Sequence, residues 1–141
     1  MGYCLAPAQL MNEFRKVHQF TVFSANTPVQ YALADVFSSP GYFPELKDFF
    51  QKKRDWFANL LRDTRFDLLP CYGSYFQCVT YKKITDEKDT DFARRLVQDF
   101  GVASIPVSAF YTKNVDYGVL RFCFAKKDDT LEAAAEKLRR C

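Results

Sequence analysis

An arginine lies in the middle of a stretch that otherwise belongs in a hydrophobic core. The stretch is VLRFCFA, residues 119 to 125, and its alternating pattern predicts a β-strand. On a strand, Arg121 shares one face with Val119 and Cys123, and the apolar residues between them form the other face. A guanidinium fixed on a strand could bind a carboxylate through two parallel hydrogen bonds. An exposed sheet face, with Arg121 solvated or paired to a surface acid, explains the same residues.

The other side chains with reactive potential are five cysteines and one histidine. The cysteines are Cys4, Cys71, Cys78, Cys123 and Cys141. Their number is odd and their spacing matches neither a zinc site nor a CxxC pair, so no metal site is predicted. Cys78 and Cys123 fall inside apolar strands, where a reduced thiol behaves as a small hydrophobe. A reducing, cytoplasmic compartment is favoured, and an enzyme that uses a thiol with His18 is the weaker hypothesis.

A third feature is CYGSYFQ, residues 71 to 77, in which Gly73 would let the backbone turn closely and Tyr75 follows. An ordinary hairpin turn with a packing aromatic is sufficient to explain it.

The composition limits the classes of protein to consider. A chain of 141 residues suits one domain or a modest part of a larger protein. Apolar residues make up 48% and aromatic residues 17%, which is enough for a sizeable core. The 20 basic and 17 acidic residues give a formal charge of +3 without a basic stripe, so nucleic acid is not an expected partner. Neither a signal-peptide core nor a long apolar run is present, so neither secretion nor a membrane span is expected, and a membrane is not an expected partner.

The first 37 residues predict two amphipathic helices. Residues 7 to 18 carry apolar side chains at helical spacing. In the second helix, Thr27 is the expected N-cap, Pro28 occupies the first helical position and Gln30 completes a capping box. Pro40-Gly41 is then expected to break the chain.

From about residue 40 the pattern is α+β, with helices on one face of a small antiparallel or mixed sheet. The expected elements are a helix over 44–63, strands over 66–70 and 74–82, a helix over 90–100, an edge segment in VASIPVSAFY, the strand with Arg121 and a last helix. Gly101 should end the helix before the edge segment. Asp129 with Glu132 should cap the last helix, which turns Leu131, Ala135 and Leu138 inward.

Taken in order, several segments resemble the C-terminal part of fold-type I pyridoxal-phosphate aminotransferases. They are GYCLAP, EFRKVHQFTVFSANTPVQYALAD, LLPCYGSYFQ, GVASIPVSAFY and LRFCFAKKDDTLEAAAEKL. The chain is most similar to the methionine, aromatic and kynurenine aminotransferase group of class I/II. The resemblance implies the α/β family fold, in which residues 1–39 belong to the large cofactor-binding domain at the dimer interface and residues 40–141 form the small C-terminal domain.

The same resemblance implies an activity and site residues. The family transfers an amino group from an amino acid to a 2-oxo acid with pyridoxal 5′-phosphate, as a homodimer. Arg121 occupies the position that binds the substrate α-carboxylate. Phe23 and Ser24 match a segment that approaches the partner subunit's pocket, although relatives place a histidine where Ser24 stands. Gly73 and Tyr75 match a strand start near the hinge of the small domain, a structural role.

The family's Schiff-base lysine is expected upstream of this chain, so the chain alone is predicted to be inactive and not to bind the cofactor. Two alternatives remain from the residues. The chain could be a stand-alone, non-catalytic α+β module that binds a carboxylate or a protein, or an unrelated enzyme that uses a cysteine.

Overall fold

The computed structural model describes residues 1–39, 44–113 and 115–141, which divide into two compact units, Met1–Glu45 and Leu46–Cys141. In chain order the elements are α1 (Ala8–Thr21), α2 (Thr27–Ser38), α3 (Pro44–Leu60), β1 (Asp67–Leu68), β2 (Phe76–Thr80), α4 (Asp89–Phe100), β3 (Ile105–Pro106), a 3₁₀ turn (Val107–Phe110), β4 (Val119–Cys123) and α5 (Asp128–Leu138). The chain break predicted at Pro40-Gly41 lies outside the described residues.

The first unit contains α1 and α2, and neither helix has a buried residue. The N-cap of α2 is Asn26, whose side chain accepts a hydrogen bond from the Val29 N–H at 3.2 Å. The prediction that Thr27 is the cap is therefore wrong by one residue, because Asn26 is an equally good cap and its oxygen reaches the third N–H of the helix. The Gln30 side chain donates to the Ala25 carbonyl instead of closing a capping box.

The second unit is built on a four-stranded antiparallel sheet in the order β1-β2-β4-β3. The two long strands, β2 and β4, pair from Phe76 opposite Cys123 to Thr80 opposite Val119. The two-residue strands β1 and β3 form the edges, and the edge position of β3 agrees with the proline it contains. The predicted α+β class with a small sheet is confirmed, but the hairpin strands are shorter than predicted.

One hydrophobic core joins α3, α4 and α5 to one face of the sheet. Its buried members include Phe57 of α3, Leu96 of α4, Ala135 of α5, and Val79 and Leu120 of the central strands. Burial of such side chains is the main favourable term in folding. Because all three helices cover the same sheet face, the other face of β2 and β4 remains only half-buried.

The sequence predicted the end of α4 correctly and the start of α5 incorrectly. Gly101 ends α4 in a left-handed conformation with φ 63°, as predicted. The predicted cap of α5 is wrong, because the helix begins at Asp128 and its N-cap residue, Lys127, makes no side-chain cap. Asp129 lies within the first turn, where it accepts from the Thr130 N–H. Leu131 is buried as predicted, as are Ala135 and Leu138.

The turn before β2 differs from the prediction. The residue with positive φ is Ser74, at 69°, and not Gly73. A Cβ added at Gly73 would meet nothing within 4 Å, so neither conformation nor a close contact requires glycine there. Cys71 supports the turn, because its Sγ lies 3.2 Å from the carbonyl oxygens of Gly73 and Phe76.

Across residues 1–39, 44–113 and 115–141, no helix has the length and apolar character needed to cross a membrane.

Candidate functional site

Arg121 lies on a central strand of the sheet. Its neighbours across the strands are Cys78 of β2 and Ile105 of β3. Because β4 pairs on both sides, the backbone under Arg121 is fixed more firmly than that of an edge strand or a loop.

The two faces of β4 follow the predicted alternation. Leu120 and Phe122 are buried in the core, at 0% and 4% exposure. Arg121 and Cys123 are half-buried on the opposite face, together with Phe76 of β2. The guanidinium therefore projects from the sheet face that the three helices leave free.

Two phenylalanine rings hold the guanidinium. Its Cζ lies 3.9 Å from the ring centroid of Phe76 and 4.7 Å from that of Phe110. Such cation–π contacts are each worth about 0.5–2 kcal/mol, depending on how far they are removed from water. Since an aromatic ring contacts the face of a guanidinium, the N–H donors in its plane remain available at the edge.

The charge of Arg121 has no counterion within the described parts of the chain. None of the ion pairs there includes Arg121. Its Nε is buried and has no hydrogen-bond partner among the same residues. A buried donor without a partner is costly, so it calls for an explanation. Nε is the one Arg121 nitrogen that is both buried and unpartnered among the described residues, so we expect a ligand to meet the two Nη groups.

The Cys78 thiol on this face is not set up as a nucleophile. Cys78 lies directly opposite Arg121. Burial raises the pKa of the Cys78 thiol, while the nearby charge of Arg121 acts in the opposite direction. A raised pKa means that Cys78 is a neutral thiol near pH 7, whereas attack requires the thiolate.

The site contains residues that the sequence did not reveal. Phe76 and Phe110 contact Arg121 from different segments, and Asp89 anchors the turn that carries Phe110 through Ser108. Phe76 could have been found from the pairing of β2 with β4, because it faces the same side as Arg121. No local pattern marks Asp89 or Ser108, which lie 19 residues apart.

Phe23 and Ser24 lie in the other unit, in the turn after α1. Phe23 is 85% exposed and has a positive φ of 67°, which is uncommon for an aromatic residue. The Ser24 N–H donates to the Val22 carbonyl at 2.9 Å. The approach of these two residues to a partner's pocket remains a prediction.

Comparison with known proteins identifies the class to which this fold and site belong. The family model for aminotransferase class I and II matches residues 1–138, and the chain is a member of that family. Members depend on pyridoxal phosphate.

Individual relatives agree with this assignment. The chain is 46% identical to the methionine aminotransferase of Escherichia coli (strain K12) over 140 residues, which cover 99% of this chain and 36% of that protein. It is 31% identical to kynurenine–oxoglutarate transaminase 1 of Homo sapiens, over 99% of this chain and 38% of that protein. The chain thus spans little more than a third of the length of these relatives.

Solved structures give the same result. The E. coli methionine aminotransferase superimposes with a TM-score of 0.82 over 99% of this chain and 37% of that chain, at 46% identity. The N-succinyldiaminopimelate aminotransferase from Mycobacterium tuberculosis has a TM-score of 0.81 at 30% identity, over 96% of this chain and 36% of that chain. The fold is therefore that of the corresponding part of these enzymes.

The residues around Arg121 do not fit the cofactor itself. Pyridoxal phosphate is anchored as a Schiff base to a lysine amine. The neighbours of Arg121 defined by strand pairing and ring contact are Phe76, Cys78, Ile105 and Phe110, and none of them can form that imine. They fit a carboxylate ligand, which needs only planar N–H donors and a positive charge.

Proposed function

We propose that this chain supplies the substrate-carboxylate site of a pyridoxal-phosphate-dependent aminotransferase. The whole enzyme transfers an amino group from an amino acid to a 2-oxo acid, and Arg121 binds the α-carboxylate that both substrates carry. The two Nη groups donate to the two carboxylate oxygens, an arrangement that fixes orientation as well as charge.

The observation that carries this proposal is the state of Arg121. A guanidinium on a central strand contacts two rings, with a buried Nε and no acidic partner among the described residues. A structural arginine would be expected to pair with an acid of its own chain. A cation held in place without such a pair is suited to an anionic ligand.

The proposal extends to the amino donor, the assembly and the cellular compartment. Methionine and aromatic amino acids are the proposed amino donors, because relatives include methionine and kynurenine aminotransferases. The proposed assembly is a homodimer in which Phe23 and Ser24 contribute to the partner's pocket. The five free thiols favour the cytoplasm.

A titration of the 141-residue chain tests the carboxylate site. L-methionine should shift the Arg121 side-chain signals in a ¹H–¹⁵N spectrum, whereas L-methioninamide, which lacks the carboxylate, should not. Arg121→Lys keeps the charge but removes the planar fork, so the affinity should fall roughly 10- to 100-fold, the range for a hydrogen bond to a charged group. In this variant the affinity is read from the backbone amide of Cys78, which lies opposite residue 121. Arg94→Lys, an exposed arginine on α4, is the matched control and should leave the affinity unchanged.

The chain alone is proposed not to transaminate, because the groups around Arg121 cannot hold the cofactor. With pyridoxal phosphate and L-methionine, no 2-oxo acid product should form. Sustained product formation that requires one lysine of this chain would contradict this part of the proposal.

A further inference from the structure

Asp89 is a buried acid that the carboxylate site does not use directly. It is the first residue of α4 and is only 1% exposed. Both of its carboxylate oxygens accept hydrogen bonds from one residue: Oδ2 from the Ser108 N–H at 2.8 Å and Oδ1 from the Ser108 hydroxyl at 2.6 Å. Burying a carboxylate costs free energy unless it is hydrogen-bonded, so these two short bonds stabilise Asp89 and tie it to Ser108.

Ser108 lies in the 3₁₀ turn Val107–Phe110, two residues before Phe110. The turn follows β3 directly, and β3 pairs with β4 at Arg121. Phe110 is 60% exposed, so packing in the core does little to keep its ring over the guanidinium. The hydrogen bonds between Asp89 and Ser108 are the anchor that fixes this turn.

The other side of Asp89 is tied to the start of β4. The Asp89 N–H donates to Asp116 Oδ2 at 2.9 Å, and Asp116 Oδ1 accepts from the Gly118 N–H at 2.7 Å. Gly118 adopts φ 68° immediately before β4. Asp89 is therefore connected to β4 at two points, at Gly118 just before the strand and at Arg121 within it.

We propose that Asp89 is a positioning residue for Arg121: through Ser108 it fixes the turn that carries Phe110, and Phe110 holds the guanidinium in the orientation that two-point carboxylate binding needs. Only the purpose of this positioning, which is carboxylate binding, rests on the proposed function. The mechanical link to Arg121 is a property of the chain and is testable without any ligand.

The Arg121 Nε–H signal of the 141-residue chain reports this link. Two rings near the guanidinium should shift the signal upfield, and burial of Nε should slow its exchange with water. Ser108→Ala removes the hydroxyl but keeps the Ser108 N–H bond, so the fold should survive. We expect the signal to move toward that of free arginine and its exchange to accelerate roughly 10- to 100-fold.

A second variant separates positioning from general loosening. Phe110→Leu should move the Arg121 signal in the same direction. If Ser108 acts through Phe110, adding Ser108→Ala to Phe110→Leu should change the exchange rate further by less than about twofold. Asp89→Asn, whose amide nitrogen cannot accept, should resemble Ser108→Ala. Asp91→Asn, an exposed acid in the same helical turn, should leave Arg121 unchanged.

An unchanged Arg121 signal in Ser108→Ala would overturn the positioning role. An equal effect of Ser108→Ala with and without Phe110 would also overturn it, because the link would then bypass the ring. The L-methionine titration stands apart from these outcomes. A chain in which Ser108→Ala disturbs Arg121 but no carboxylate binds would refute the proposed function and leave the positioning role intact.

Discussion

Replacing Phe76 with leucine tests whether ring contact prepares Arg121 for its ligand. Phe76 is the closer of the two rings, with its centroid 3.9 Å from Arg121 Cζ. Leucine keeps an apolar side chain in this half-buried position, so the packing part of the loss in free energy of unfolding should stay below about 1.5 kcal/mol. The π face is lost as well, and with it a cation–π contact of about 0.5–2 kcal/mol.

The effect on binding follows from the freedom that Arg121 regains. Immobilising a flexible side chain on binding costs about 0.5–1.5 kcal/mol. If Phe76 has already met that cost in the free chain, Phe76→Leu should weaken L-methionine binding by roughly 2- to 12-fold. The assay is the NMR titration of the 141-residue chain, with urea unfolding to verify the fold.

Phe49→Leu is the control for this experiment. Its ring centroid lies 5.6 Å from Lys53 Nζ, so it also removes a cation–π contact, but one that does not involve Arg121. An affinity that stays the same or tightens in Phe76→Leu would refute the reasoning. So would an equal loss of affinity in Phe49→Leu.

Three further predictions concern Gly118, Leu120 and Cys78. Gly118→Ala should lower the free energy of unfolding in urea by about 1–2 kcal/mol, because Gly118 has φ 68°. Gly73→Ala should leave it unchanged or raise it by up to about 1 kcal/mol, and equal losses in the two variants would contradict this. Leu120→Ala, at 0% exposure, should lower the free energy of unfolding by about 2–5 kcal/mol. A loss below about 1 kcal/mol would mean that β4 is not central to the core. Because burial raises the pKa of Cys78, iodoacetamide at pH 7 should label Cys78 more slowly than the exposed Cys4, and the labelling rate of Cys78 should rise with pH. Peptide mapping by mass spectrometry measures both rates. Faster labelling of Cys78 than of Cys4 would mean that Cys78 is an activated thiolate.

The parts of the fold that the sequence predicted depend on short-range periodicity. Alternation along residues 119–125 placed Arg121 and the core residues on opposite faces, and the structure agrees. Gly101 could be assigned because a helix end needs a left-handed residue there. The cap of α2 was missed because Asn26 and Thr27 are adjacent and both suit the position, so the choice depends on backbone geometry.

The surroundings of Arg121 could not be predicted in the same way. Phe110 and Ser108 reach the site through a turn whose position is set by Asp89, 19 residues before Ser108. Contacts of that range follow from the packing of α4 against the sheet and leave no period in the sequence. The carboxylate-binding role came from the resemblance to the family, and the structure adds the two rings and the unpartnered Nε.

The most direct test of the central claim is a crystal structure of the 141-residue chain soaked with L-methionine. If Arg121 binds the substrate, both α-carboxylate oxygens should accept hydrogen bonds from the Arg121 Nη groups, at about 2.7–2.9 Å. Phe76 and Phe110 should still contact the guanidinium. A methionine carboxylate bound to another residue, or an acidic side chain of this chain paired with Arg121 in its place, would contradict the claim.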